Sequence, residues 1–369
     1  MAGKDDDREQ GLFATADRIG TPSGGGQVTY NELAALRELN PNVECLDGLV
    51  LQPSQHSLPE SPFISDYLAL HLIAEGHRLG VYKDFRLAHF YSGCFSQTIR
   101  WLKGRDTFIS YTVPAHDRKE TIGEFESLGF TYPYPHIKDN NLWKVFFQGQ
   151  READLVITPS RLSASFLEDE GCQRVEVIPH GCDLPSTADM SIWEKSIFYA
   201  GYLGQVGLDK GLLYLIKAWS KLNLPQAVLL LAGPGTKSLV SFIQREGNGG
   251  QFQLMGFVRE PSLLFNSCHV YIQPSVCESW GIEVIEAFAH RRPAIVSNGA
   301  GASEAVTEGR DGFVFAKRSV DQLAERIDWC YHHRNQLPQM GVMARKKAED
   351  YAWPKIRQRY MELWRSCGK

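Results

Sequence analysis

The chain has 369 residues, 43% hydrophobic and 22% charged, with a formal net charge of −4; that length exceeds one compact core and fits two domains. The charge argues against a general nucleic-acid binder, whose footprint would be basic, no apolar run approaches a membrane span, and Met1 to Gln10 is too acidic and polar for a signal peptide. Eight cysteines without C-x-x-C spacing indicate neither a zinc ribbon nor a disulfide framework, and reduced thiols in a cytoplasmic protein are the plain expectation.

Strands alternate with helices along the whole chain, which predicts parallel sheets covered on both faces. Gly11 to Ala16 reads as a first strand, Ile19 to Gln27 as a glycine-rich loop, and Val28 to Leu39 as a helix with Leu33, Leu36 and Leu39 at helical spacing. Further strands are expected at Val43–Cys45, Leu87–Phe90, Thr107–Thr112, Leu155–Thr158 and Val175–Ile178. The helices between them are expected at Phe63–Glu75, Phe95–Leu102, Trp143–Glu152 and Ser163–Asp169. From Asp183 to Trp193 the pattern lapses into Pro, Ser, Thr and Asp, a linker. It then restarts with a strand at Ser196–Ala200, a glycine-bearing loop at Gly201–Gly211 and a helix at Leu212–Leu222. Strands at Ala227–Ala232, Phe252–Met255, Val270–Gln273 and Ala294–Ser297 complete the second sheet. Each half thus opens with strand, glycine loop and helix, the phosphate-friendly start of a doubly wound domain.

Several residues fall where such folds do chemistry. Gly24-Gly25-Gly26 lets the backbone approach a ligand closely, though G-x-G-x-x-G is not in register for a dinucleotide fingerprint. His116, after the strand ending at Thr112, lies where a strand end meets the ligand crevice, with His89 a weaker candidate. Lys210 precedes a helix start and can neutralise phosphate oxygens. In Glu278-Ser279-Trp280-Gly281-Ile282-Glu283-Val284-Ile285-Glu286, a polar loop ending in Gly opens an apolar helix. Its free N–H groups suit an anionic or hydroxyl-rich ligand, and Glu278 and Glu286 can accept hydrogen bonds from a sugar and a ribose. Taken alone, Glu283 and Glu286 would equally suit the wet face of a helix. Asp5-Asp6-Asp7 matches a D-x-D metal pattern but sits in a tail without strands, so it reads as a solvated charge run.

In order and content these segments resemble the retaining glycosyltransferases of family 4 (glycosyl transferases group 1), from about Gly11 to about Trp364. The most specific element is the E-x7-E of Glu278 and Glu286; "ADLVITPS…VEVIPHGCDL" resembles the segment that closes the first domain. The resemblance implies an α/β GT-B fold, two Rossmann-like doubly wound domains facing a central cleft. Residues 1–185 would form the acceptor side, 194–350 the nucleotide-sugar side, and 351–369 a helix crossing back to the N-terminal domain. It further implies a glycine pair at Gly25 and Gly26 near the transferred sugar and phosphates, His116 on the sugar, and Lys210 on the diphosphate. Glu278 would hold sugar hydroxyls, Glu286 the ribose, Val258 of the "GFV" turn the base, and Ser279, Trp280, Gly281 and Ile282 would line the donor. One departure stands out: Tyr202 occupies the place of the family's second diphosphate cation, an Arg, which Arg259 could replace. The small-residue loop Ser297–Glu304 resembles the one that follows the next strand of the family.

Such an enzyme would move a sugar, with retention, from a UDP-sugar or GDP-sugar to a hydroxyl acceptor that is a glycan, lipid-linked or a small molecule, as in polysaccharide biosynthesis. No carboxylate is placed as a nucleophile, so a same-face path is expected, with Lys210 and helix N-termini stabilising the leaving diphosphate. No metal and no cofactor beyond the donor are called for, nor a nucleic-acid partner; a peripheral membrane contact is compatible with the chain. The alternatives are a sugar-nucleotide epimerase on the same fold, which would need further acid–base groups, and a non-catalytic sugar-nucleotide-binding subunit, which Tyr202 suggests.

Overall fold

The structure, a computed structural model, describes residues 10–15, 19, 24–46, 85–92, 95–115, 117–131, 147–186, 189–235, 237–246 and 252–367. The helix expected at Phe63–Glu75, the candidate His116 and the acidic run Asp5–Asp7 lie outside the described residues. Two compact units divide the chain: Met1–Ala115 with Pro133–Pro179 and Pro354–Lys369, and His116–Tyr132 with His180–Trp353. The main division therefore falls before His180, a few residues ahead of the stretch whose composition suggested a linker, and the segment 116–132 groups with the C-terminal unit.

The N-terminal unit begins with β1 (Gln10–Thr15), α1 (Gly24–Leu39), β2 (Val43–Leu46), β3 (Phe85–Tyr91), α2 (Ser96–Lys103) and β4 (Phe108–Thr112). The chain then leaves for α3 (Arg118–Ser127), which the sequence reading had missed. It returns with α4 (147–152), β5 (Leu155–Thr158), α5 (Arg161–Asp169) and β6 (Val175–Val177). All neighbours pair in parallel in the order β2-β1-β3-β4-β5-β6. The helix α1 starts at Gly24, earlier than expected, so Gly25 and Gly26 form its first turn instead of a loop. The Thr29 hydroxyl secures that turn by donating to the Gly25 and Gly26 carbonyls at 3.0 and 3.1 Å.

The C-terminal unit runs β7 (Phe198–Leu203), α6 (Leu212–Leu222), β8 (Ala227–Ala232), α7 (Lys237–Glu246), β9 (Phe252–Gly256), α8 (Ser262–Ser267) and β10 (Val270–Gln273). It continues through α9 (Ile282–Ala289), β11 (Ala294–Ser297), β12 (Gly312–Phe315), α10 (Val320–His332) and α11 (Leu337–Ala348). Its sheet is again all parallel, in the order β12-β11-β10-β7-β8-β9. Strands covered on both faces are mostly apolar, as β10 and β11 are up to their C-terminal Gln273 and Ser297, with all their residues buried. A last helix, α12 (Trp353–Cys367), packs from Pro354 onward with the N-terminal unit. There the Trp364 indole donates to Ser110 Oγ at 2.9 Å, and Ser110 Oγ also lies 3.0 Å from His89 Nδ1.

The strand order locates the place for a ligand. In the C-terminal sheet the connection from β7 runs outward to β8 and that from β10 runs outward to β11, on opposite sides. Between β7 and β10 the order reverses, and in open α/β sheets ligands bind outside the carboxyl ends of the strands at that point. No helix of the described residues is long and apolar enough to cross a membrane.

Candidate active site

At this switch point two loops meet, one from Gly204 to Gly211 after β7 and one from Pro274 to Gly281 after β10. Val276 N donates to Asp209 O at 2.8 Å, joining the loops through their backbones. Gly211, the N-cap of α6, has φ 71°, and a Cβ there would run into the Pro274 carbonyl. Only glycine combines that left-handed conformation with so close an approach. Gly281, the N-cap of α9, is also left-handed, with φ 95°. Two helix N-termini capped without side chains therefore open at the same crevice, where their first N–H groups and dipoles favour an anion.

Lys210 and Glu278 close the junction: Lys210 Nζ donates to Glu278 Oε2. Their side chains are 25% and 19% exposed, so the pair is sheltered yet reachable. Burial works against the Lys210 charge, but the Glu278, Asp209 and Glu283 carboxylates outweigh it and hold the ammonium above the ordinary lysine range. A third loop fixes the Glu278 backbone, since Glu278 N donates to Gly299 O at 2.9 Å and Gly301 N to Glu278 O at 3.0 Å. Gly299 is itself a close approach, because a Cβ would stand 2.8 Å from the Ser275 carbonyl oxygen.

Glu283, in the first turn of α9, belongs to this electrostatic cluster, although by sequence it would equally suit the wet face of a helix. Burial and the Glu278 charge raise its carboxyl to about 7, against a pull from its own backbone N–H and Lys210. With Asp209, Glu278 and Glu283 around one lysine, the crevice carries more acid than base. The spacing of Glu283 five residues after Glu278 could have signalled this, but whether α9 turns that face to Lys210 is decided by tertiary structure.

The other expected residues divide. Glu286 lies half-buried on α9, where its charge acts on the Cys182 thiol and the Tyr271 hydroxyl. Ser279 is 9% exposed beside Glu278, and Ile282 is half-buried at the first position of α9. Val258 follows β9 and packs, half-buried, against Leu230, Ala232 and Leu264, with Arg259 exposed next to it. Gly25 and Gly26 belong to the N-terminal unit, in α1.

Two expectations need correction. Tyr202 is the fifth residue of β7, 1% exposed, and its hydroxyl donates to Gln205 O at 2.8 Å, so it is a core side chain and its ring does not stand in for a surface cation. The strand runs past Gly201, so the loop begins at Gly204, three residues later than read from sequence. Trp280 is 3% exposed, its indole belongs to an apolar cluster and lies 5.8 Å from the Tyr351 ring, and its carbonyl accepts from Ala302 N at 2.8 Å, so it is a core side chain and not an exposed lining of the loop.

Residues 192–347 match the family described as "Glycosyl transferases group 1". Among curated relatives, the D-inositol 3-phosphate glycosyltransferase of Paenarthrobacter aurescens is 27% identical over 212 residues, 53% of this chain and 52% of that protein. The capsular polysaccharide biosynthesis glycosyltransferase CapM of Staphylococcus aureus is 26% identical over 161 residues, 42% of each. The chain thus spans about half the length of these relatives. Over nearly the whole chain the fold is similar to sucrose-phosphate synthase from Thermosynechococcus elongatus, with a TM-score of 0.76 at 16% identity, covering 98% of this chain and 99% of that one. It is also similar to Anabaena HepE in complex with UDP, with a TM-score of 0.69 at 20% identity, covering 97% and 100%. Residues 192–347 thus resemble the family described as glycosyl transferases group 1, in a chain whose two parallel-sheet units have the GT-B fold.

Proposed function

We propose that the protein is a retaining glycosyltransferase that moves a sugar from a nucleotide-diphosphate sugar to a hydroxyl acceptor, working in the cytoplasm. The observation that carries this reading is the Lys210–Glu278 pair at the switch point of the C-terminal sheet, between two helix N-termini opened by left-handed glycines. The family match over the same residues supports it, and HepE, which shares the fold, is known in complex with UDP and with UDP-glucose.

On this reading the donor diphosphate takes Lys210 from Glu278. The ammonium and the N–H groups at the starts of α6 and α9 then oppose the charge that grows on the leaving phosphate as the glycosidic bond breaks. Glu278, released, accepts hydrogen bonds from hydroxyls of the sugar, and Glu286 accepts from the ribose. Val258 and the backbone around it face the base. Gly25, Gly26 and His116 contribute to sugar and phosphate binding from the segments that precede the C-terminal sheet. The incoming acceptor oxygen bonds to the anomeric carbon on the face from which the phosphate oxygen departs, its proton passing to that phosphate oxygen. The scheme uses no metal, since the lysine and the helix dipoles supply the positive potential.

The test is calorimetric titration of UDP, GDP and ADP into the wild type and Lys210→Ala, followed by transfer assays with the matching nucleotide sugars and assignment of the product anomer by NMR. Binding of one diphosphate that the variant weakens, with an anomer retained in the product, is the expected result. Failure of all three diphosphates to bind, or an inverted product, overturns the reading.

A further inference from the structure

We propose that Glu124 is a positioning residue of this site. Carried on α3, from a stretch of sequence that follows the N-terminal strand β4, it clamps the start of α6 and the loop after β12, and through them holds the Lys210–Glu278 junction. The inference rests on the donor-site reading above.

Residues 117–131 group with the C-terminal unit although they leave from β4. The helix is started by Asp117, whose carboxylate accepts from Lys119 N at 2.8 Å and Glu120 N at 3.3 Å. Asp117 with Glu120 three residues on is a capping-box pattern, the sequence signal that could have revealed α3. Arg118, Thr121, Glu124 and Phe125 form its buried stripe at helical spacing. Phe125 enters the core of the C-terminal unit with Leu212 and Leu215 of α6, and Phe130 meets the Phe242 ring edge-on at 5.0 Å. These apolar contacts dock the segment, but being non-directional they do not by themselves fix its register.

Glu124 fixes that register. Its side chain is 2% exposed, and both oxygens are engaged: Oε1 accepts from the Tyr214 hydroxyl at 2.6 Å and Oε2 from Arg318 Nε at 2.8 Å. A carboxylate so buried is costly unless paired in a fixed geometry, and one so paired specifies position more than it adds stability. Tyr214 lies in the first turn of α6, four residues after Lys210. Arg318 continues to Glu120 at 2.9 Å, and its neighbour Lys317 reaches the same carboxylate at 2.5 Å. Lys317 N donates to Asn298 Oδ1 at 2.8 Å, at the head of the loop whose Gly299 carbonyl receives Glu278 N. The Cys277 thiol, next to Glu278, donates to Asp117 O at 3.4 Å. The helix α3 thus touches the loops that follow β10 and β12 and the helix that follows β7, and Glu124 sits at the centre of these contacts.

Glu124→Gln, Tyr214→Phe and Arg318→Gln are the variants, with UDP and GDP as probes. Glu124→Gln is expected to keep the far-UV spectrum of the wild type, to weaken the bound diphosphate about tenfold under conditions where it is fully folded, beyond what its lowered urea midpoint accounts for, and to couple non-additively with Arg318→Gln. Hydrogen exchange on the ligand-free protein should rise at 211–216 and 298–301 in all three variants. That readout needs no ligand, so it separates the two ideas: a wild type that binds neither diphosphate overturns the donor-site reading. Exchange unchanged in those segments, or an affinity that falls only together with the urea midpoint, overturns the positioning role. Should Glu124→Gln fail to fold, Tyr214→Phe removes one hydroxyl from the same carboxylate and is read in the same way.

Discussion

Lys210 and Glu278 stand 68 residues apart in sequence and form an ion pair where the strand order of the C-terminal sheet reverses. The pair joins the loop after β7 to the loop after β10, and the neighbouring carboxylates of Asp209 and Glu283 add to the negative potential that the lysine opposes. Replacing Lys210 with Ala is expected to lower turnover about 10²- to 10³-fold, the effect of removing one preorganised charge from a developing oxyanion. Adding Glu278→Gln should restore part of the diphosphate affinity, because the unbalanced carboxylate then goes too. Calorimetry on the single and double variants checks both statements, and strictly additive losses would contradict them.

The two acids of the E-x7-E pattern should differ in what they cost. Glu286→Gln keeps one acceptor oxygen and is expected to raise the donor KM with kcat nearly unchanged. Glu278→Ala should lower kcat as well, since hydroxyls of the reacting sugar lose their partner in a sheltered crevice. Steady-state kinetics in the two variants decide this, and identical behaviour would remove the distinction.

Glu283 introduces a pH dependence whose sign follows from its surroundings. Burial and Glu278 raise its carboxyl from 4.5 to about 7, so between those values the native state holds a proton that the unfolded chain has released. Stability from this group is therefore present at low pH and declines as pH rises through that window, with the loss complete above 7. Glu283→Gln should flatten this part of the profile and be the more stable form at pH 8. Urea midpoints of both proteins from pH 5 to pH 8 test it.

Gly211→Ala should be among the most damaging changes of a single methyl group. The left-handed backbone alone costs an alanine about 1–2 kcal/mol, and the clash with the Pro274 carbonyl adds to that by forcing the two loops apart. A lowered melting temperature with diphosphate binding lost out of proportion is expected. A variant with wild-type binding would show that the loops tolerate separation.

In the N-terminal unit, Glu32 and His89 are both fully buried, 3.3 Å apart, with Phe13 and Trp364 rings around the imidazole. Leaving a buried polar group without one of its hydrogen-bond partners typically costs about 1–3 kcal/mol. His89→Phe should therefore be destabilised by that order, while His89→Phe with Glu32→Leu recovers much of it. Chemical denaturation of the two variants measures the difference.

Much of this was legible in the residues. Parallel strands buried on both faces appear as short apolar runs, which is why β5, β8, β10 and β11 and the helix α6 begin and end where the sequence placed them. The Glu278–Glu286 element was legible because a polar loop, a glycine and an apolar helix follow each other within a dozen residues. The glycine run was harder, since Gly24–Gly26 has poor helix propensity and only packing and the Thr29 bonds draw it into α1.

Local sequence determined which segments become strands and helices, where glycine must take a left-handed turn, and which residue types stand at the strand ends. Tertiary structure alone decided which of those residues meet. Tyr202 stands where the resemblance expects an Arg, and only the sheet register, which pairs it with Leu231, shows it buried in the core. Glu283 looks like a solvated acid until α9 is packed with one face toward Lys210, and Glu124 looks like one charge among many on a polar helix until Tyr214 and Arg318 close on it. The reason is physical: propensity and periodicity act within a few residues, whereas burial, ion pairing and pKa shifts depend on contacts between segments far apart in sequence, which no local pattern encodes.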